Sequence, residues 1–170
     1  SSEIIVADNG SSDNSVAIAK SNGAIVVTQP EKGYGNAYLK GFSAARGKYI
    51  IMGDSDDTYD FTRLEQWLTP LKNGYDMVMG NRFKGEIISG AMPWHHKYIG
   101  NPILSGILKI LFSTTVGDSH CGMRSFTAAA LKKMDLRTTG MEFASEIVVK
   151  AVKNKLKIQE IPITLNVRGG

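Results

Sequence analysis

Apolar residues in the first half of the chain fall into four short runs: Glu3-Ile-Ile-Val-Ala-Asp8, Ala24-Ile-Val-Val-Thr28, Lys48-Tyr-Ile-Ile-Met52 and Asp76-Met-Val-Met-Gly80. Continuous apolar runs of this length, bounded by turn residues, predict strands buried on both faces. Between them the apolar positions recur at helical spacing. Ser12 or Asp13 caps a helix through Val16, Ala17 and Ala19 that stops at Gly23. Gly33-Tyr-Gly35 opens a second helix carrying Ala37, Leu39, Phe42 and Ala45. Asp60 or Thr62 starts a third through Leu64, Trp67, Leu68 and Leu71, bent at Pro70. Strands of about five residues alternating with helices of about ten predict an α/β domain with a mostly parallel sheet flanked by helices.

After Arg82 the pattern changes. Helices are predicted over Tyr98 to Phe112, Ala128 to Met134 and Met141 to Asn154, and a late strand over Gln159 to Leu165, where Pro162 favours a sheet edge. No repeat or low-complexity linker interrupts residues 1–170, so one domain is expected. Apolar residues at 42% and charged residues at 21% belong to an ordinary globular chain. The single cysteine, Cys121, excludes an internal disulfide framework. No stretch reaches the about 18 apolar residues of a membrane span.

Charge divides the chain. Residues 1–81 hold 7 Lys and Arg against 10 Asp and Glu, whereas residues 82–170 hold 13 against 6. A basic half suits an anionic partner, such as phosphate, nucleic acid or a lipid surface, and equally a solvated lysine face. Nucleic acid ranks last, because the aromatics are not interleaved with the basic residues.

Polar signatures close three of the four early strands: Asp8-Asn-Gly-Ser-Ser-Asp13, Asp54-Ser-Asp-Asp57 and Gly80-Asn-Arg82. In open α/β sheets, ligands bind beyond the carboxyl ends of the strands, so these turns converge on one rim. Three carboxylates in four residues repel one another unless a cation lies among them, and Mg²⁺ or Mn²⁺ suits carboxylate and phosphate oxygens. An acidic helix N-terminus is the plainer reading and fits Asp57 and Asp60; the metal reading fits Asp54 and Asp56. Asp8 and Gly10 form a tight turn whose carboxylate and amides can hold a nucleotide, or a plain turn. Gly33-Tyr-Gly35 does not directly follow a strand and is no dinucleotide fingerprint.

Taken in order, Ala7-Asp-Asn-Gly-Ser-Ser-Asp13, Lys32-Gly-Tyr-Gly-Asn-Ala37 with Gly41 and Ala45-Arg-Gly-Lys-Tyr-Ile50, Asp54-Ser-Asp-Asp-Thr-Tyr-Asp60 and Gly80-Asn-Arg-Phe83 resemble family-2 glycosyltransferases of the GT-A fold. Asn101, Asp118, Cys121-Gly-Met-Arg-Ser-Phe126 and Met141-Glu-Phe-Ala-Ser-Glu146 are similar to the dolichyl- or polyprenyl-phosphate mannosyl- and glucosyltransferases. The resemblance implies a Rossmann-like nucleotide-sugar domain. It implies that Asp8, with Gly10 and Gly33, contacts the nucleotide, and that Asp54 and Asp56 handle the metal and sugar diphosphate. Arg82 and Arg124 would face phosphates, with Arg168 a third candidate, and on the helix from Met141 either Glu142 or Glu146 could touch sugar or acceptor. Thr58 stands where relatives often carry a Gln ligand.

The implied reaction is inverting transfer of a hexose from a GDP-mannose or UDP-glucose type donor to a polyprenyl or dolichyl phosphate, at the cytoplasmic face of a membrane. The acceptor phosphate is already anionic and needs orienting cations rather than a base. A soluble transferase to a polysaccharide hydroxyl would instead need a base, with Asp118 and Glu142 as candidates, and a non-catalytic nucleotide-sugar module is the third reading. The segment Met92 to Tyr98 and the apolar stripe after it fit a membrane-surface helix as well as a core helix. Relatives begin with one further strand, and many carry C-terminal membrane helices. A chain lacking that first strand is expected to be poorly stable and weakly active.

Overall fold

The computed structural model describes residues 2–91, 106 and 116–169. The expected helix from Tyr98 to Phe112, the segment Met92 to Tyr98 and Asn101 lie outside the described residues. Every other predicted element is present. Strands β1 (Ile5–Asp8) and β2 (Ile25–Thr28) pair in parallel as a two-stranded sheet, with α1 (Ser15–Ser21) between them in sequence. After α2 (Tyr34–Ala44) come β3 (Tyr49–Met52), a 3₁₀ turn at Phe61–Arg63, α3 (Glu65–Lys72) and the long β4 (Met77–Ile87). The last four are β5 (Arg124–Thr127), α4 (Ala128–Met134), α5 (Phe143–Lys153) and β6 (Ile158–Leu165).

The larger sheet has the order β3-β5-β4-β6. β5 runs antiparallel to both β3 and β4, and β6 runs parallel to β4. The sheet is therefore mixed, where a mostly parallel one was expected. The difference is β5, a strand of only four residues, Arg-Ser-Phe-Thr, whose three polar positions hide its burial. β6 lies at the edge, as Pro162 requires: a residue without an N–H is tolerated where no further strand needs one.

Alternation along β4 explains the two cores. Met77 and Met79 face one side with Phe126, Phe143, Ile147 and Val148; Val78 faces the other with Trp67, Cys121 and Ile163. All three β4 residues are 0% exposed, so the strand is covered on both faces. Fully burying each such side chain contributes about 1.5–3 kcal/mol. Tyr34, Tyr38, Leu39 and Phe42 of α2 close the first core, while the same helix also packs against β1 and β2. One helix thus joins the small sheet to the large one.

Loop 135–142 holds the N-terminal end of α2 in place, and Glu146 holds the loop. Its carboxylate accepts the amides of Arg137 at 3.0 Å and Thr138 at 2.9 Å, the Thr138 hydroxyl at 2.6 Å and the Lys150 ammonium at 2.7 Å. Burial alone would raise its pKa; Lys150 and Thr138 outweigh it and bring the group to about 2. A depressed folded-state pKa contributes stability that is complete above the unfolded value, about 4.3, and is lost as pH falls toward 2. Replacing Glu146 with Gln is expected to cost about 1–3 kcal/mol at pH 7. The gap between the melting curves of the two proteins should begin to narrow below about pH 4.3 and close only near pH 2; a gap that stays constant with pH contradicts this.

Candidate active site

The acidic loop leaves the carboxyl end of β3. Asp57 takes a left-handed conformation, φ 64°, which Asp adopts more readily than most residues. Thr58 turns back on Asp56: its amide, at 3.3 Å, and its hydroxyl, at 2.6 Å, both reach Asp56 Oδ1. Thr58 therefore orients a carboxylate. The other oxygen, Oδ2, lies 3.2 Å from Nε of Arg168, whose side chain is 76% exposed. The Gly169 amide donates to the Asp56 carbonyl and the Asn166 amide to the Thr58 carbonyl, so the segment after β6 runs along the loop. Asp54 is held differently. The Tyr38 hydroxyl donates to its Oδ1 at 2.7 Å, and a side chain at Gly122 would collide with its Oδ2.

The β1 turn is built for closure. Asp8, almost buried, accepts the Ser11 amide at 2.9 Å, and its bonds to Ser11 hold its pKa below the usual carboxylate range. Asn9 reaches across to the carbonyls of Gln29 and Glu31 and accepts the Gly33 amide at 3.0 Å. Lys32 lies over Asn9 and Gly10, contacting both carbonyls. Gly10, at φ +90°, sits in the region that favours glycine. Gly33 and Gly35, for their part, press against the carbonyls of Thr139 and Thr138, where any side chain would collide. Gly33 serves contact between α2 and loop 135–142 in this geometry.

Three expected phosphate or sugar contacts have partners within the protein. Arg82, 8% exposed, grips Asp118 with Nε and Nη2, each at 2.7 Å, and its amide donates to the same carboxylate at 3.0 Å. Burial opposes the charge of Arg82, and Asp118 outweighs it, raising its pKa. Arg124, expected to face a phosphate, is 1% exposed and donates to the carbonyls of Cys121, Ala144 and Ser119 at 2.8–2.9 Å. It holds the core together instead. Glu142 accepts the Gly140 amide at 2.9 Å at the start of α5. Glu160, which the sequence did not single out, accepts the amides of Gly117 and Asp118, the Asn81 side chain and Lys84, pinning loop 116–118 to β4. His120 lies between the hydroxyls of Ser119 and Ser145, and burial and Arg124 lower its pKa.

An acidic loop at the carboxyl end of β3, with a closed turn at the end of β1, is the placement in which α/β folds of the nucleotide-binding kind hold their ligands. The family model of glycosyl transferase family 2 matches residues 1–135, and the chain belongs to that family. It is 47% identical over 169 residues to the low-salt glycan biosynthesis hexosyltransferase Agl6 of Haloferax volcanii, covering 99% of this chain and 41% of that protein. It is 31% identical to the dolichyl-phosphate hexose transferase of the same organism, over 98% of this chain and 71% of the relative. Among solved structures, glucosyl-3-phosphoglycerate synthase of Mycobacterium tuberculosis, in complex with Mn²⁺, UDP and glucosyl-3-phosphoglycerate, superposes with a TM-score of 0.74. That match has 18% identity and covers 99% of this chain and 61% of the other. The likeness establishes the GT-A architecture. The chain spans less than half the length of Agl6.

The Arg82–Asp118 pair sets a measurable dependence. Asp118→Asn leaves a buried guanidinium without its counter-charge and is expected to cost about 3–5 kcal/mol in urea unfolding. Arg82→Met with Asp118→Leu removes both charges and should cost less than the single change. A loss below about 1 kcal/mol for Asp118→Asn contradicts the pairing as described.

Proposed function

We propose that this chain is the catalytic domain of a hexosyltransferase that moves a hexose from a nucleoside diphosphate sugar to a polyprenyl or dolichyl phosphate, with inversion. The observation that carries the reading is the pair Asp54 and Asp56 at the end of β3, in a chain of glycosyl transferase family 2. Each carboxylate has one oxygen fixed by a neighbouring hydroxyl. The second oxygen of Asp56 is paired with a cationic side chain, Arg168. That donor set fits a hard divalent ion, Mg²⁺ or Mn²⁺, whose remaining positions water and diphosphate oxygens complete. When bound, such an ion neutralises charge developing on the leaving diphosphate.

The chain's own residues divide the remaining work. The β1 turn, with Asp8 and Gly10 under Lys32, is the candidate wall for the nucleoside. Arg168, exposed and beside Asp56, is the best placed for a phosphate of the three arginines of which that role is expected, Arg82, Arg124 and Arg168. Of the two candidate bases for a hydroxyl acceptor, Asp118 is 0% exposed and paired with Arg82, and Glu142 is exposed with one oxygen on a loop amide. A phosphate acceptor needs no base, and this supports it over a sugar hydroxyl. The dolichyl-phosphate relative agrees in acceptor class. A lipid-linked acceptor would bring the reaction to a membrane surface, on the cytoplasmic face in this reading; among the described residues no helix is long and apolar enough to cross a membrane.

Calorimetric titration with UDP-glucose and GDP-mannose, with and without Mn²⁺, tests the donor site. Wild-type protein should bind one of them in a metal-dependent way, and Asp56→Ala should weaken that binding more than tenfold. Transfer to polyprenyl phosphate in vesicles, against a free oligosaccharide, tests the acceptor. Donor binding indifferent to both Mn²⁺ and Asp56→Ala would refute the metal-diphosphate reading.

A further inference from the structure

Asp54 is held on the rim by a residue that has no part in the motif. Tyr34 and Tyr38 lie one turn apart on α2, their rings edge to face at 4.9 Å. The Tyr38 ring also lies flat against Phe143, 6.0 Å between centroids and 3° between planes, and Phe143 is fully buried. Packing on two sides leaves the ring one orientation, and in that orientation its hydroxyl donates to Asp54 Oδ1 at 2.7 Å. On the opposite side Asp54 Oδ2 lies against Gly122, whose lack of a side chain leaves room for it. The Gly122 amide is itself fixed by donating to the Tyr59 hydroxyl at 2.9 Å.

We infer that Tyr38 is a positioning residue for the donor site: it holds one oxygen of Asp54 and thereby presents the other, beside Gly122, to the cation and diphosphate. A carboxylate on a loop otherwise rotates among several orientations, and each bound ion would have to restrict it anew. The phenol is suited to the task because it remains a donor. The arrangement matches the general rule that groups hydrogen-bonded to a metal-binding side chain orient it and tune its affinity.

The inference rests on the proposed metal-dependent donor site, and one experiment separates the two. Mn²⁺ binding is followed by electron paramagnetic resonance, and donor binding by calorimetry, for wild type, Tyr38→Phe, Gly122→Ala and Tyr75→Phe. Tyr75 is 38% exposed and serves as a control for loss of a phenol elsewhere. Tyr38→Phe keeps the ring packing and is expected to melt close to wild type while its Mn²⁺ dissociation constant rises about 10–100-fold. Gly122→Ala, which pushes on the other oxygen, should weaken Mn²⁺ as well, and Tyr75→Phe should not. Wild-type binding of Mn²⁺ with an unchanged constant in Tyr38→Phe overturns the inference and leaves the donor site standing. A fall in melting temperature with no change in Mn²⁺ affinity assigns Tyr38 to packing alone and overturns it too. A folded wild type that takes up no Mn²⁺ overturns the donor-site reading, and the inference with it.

Discussion

A positive charge lies buried at the centre of this fold, and the elements around the rim are arranged to accommodate it. Arg124 stands in β5 opposite Met52 of β3 and Met79 of β4, so its backbone occupies the middle of the large sheet. Among the described residues its guanidinium has no carboxylate in direct contact; carbonyls of Ser119, Cys121 and Ala144 accept its hydrogen bonds. Taking such an ion out of water costs several kcal/mol even after relaxation, so each carbonyl must be aimed at it. Those carbonyls belong to loop 116–123 and to α5. The burial of one residue therefore fixes the loop that carries Gly122 and the helix that carries Phe143, and these two flank Asp54 and Tyr38.

The same logic extends outward through a second set of charges. Asp118 and Glu160 pin the segment just before Arg124, Asp118 through Arg82 and Glu160 through two amides and Asn81. These carboxylates and guanidinium groups have the residue types of a catalytic centre, but they are consumed in holding a loop. What remains at the surface of the rim is a smaller group: Asp54, Asp56, Arg168, Lys32 and the β1 turn. Buried polar networks of this kind contribute little net stability relative to an apolar core, and they define a single arrangement of the backbone.

The sequence made the α/β alternation legible because it is written in period: apolar runs of four or five residues, each followed by a helical stripe. It showed the strand-end turns for the same reason, since position along a strand decides which end of the sheet a residue reaches. β5 escaped because Arg and Ser occupy two of its four positions, and burial of an arginine on backbone carbonyls leaves no trace in hydropathy. The division of labour among arginines escaped as well. Arg82, Arg124 and Arg168 look alike in a string of letters, and only three-dimensional distance shows that the first has a carboxylate, the second three carbonyls and the third an exposed place beside Asp56. Asn9 and Tyr38 were passed over because one reads as a turn residue and the other as part of an apolar helix face.

Position on a helix explains why Tyr38 carries both meanings. α2 must bury one face against Phe126 and Phe143, and any large apolar ring at residue 38 would satisfy that demand. The helix also begins under loop 135–142, where Gly33 and Gly35 allow contact with Thr138 and Thr139, and this sets its height relative to β3. At that height the para position of the ring reaches the first residue of the acidic motif. Packing thus determines where the ring lies, and a single oxygen atom converts the packing into control of a carboxylate. The core and the site are coupled through that atom, because movement of α2 would change the orientation of Asp54 before it exposed any apolar surface.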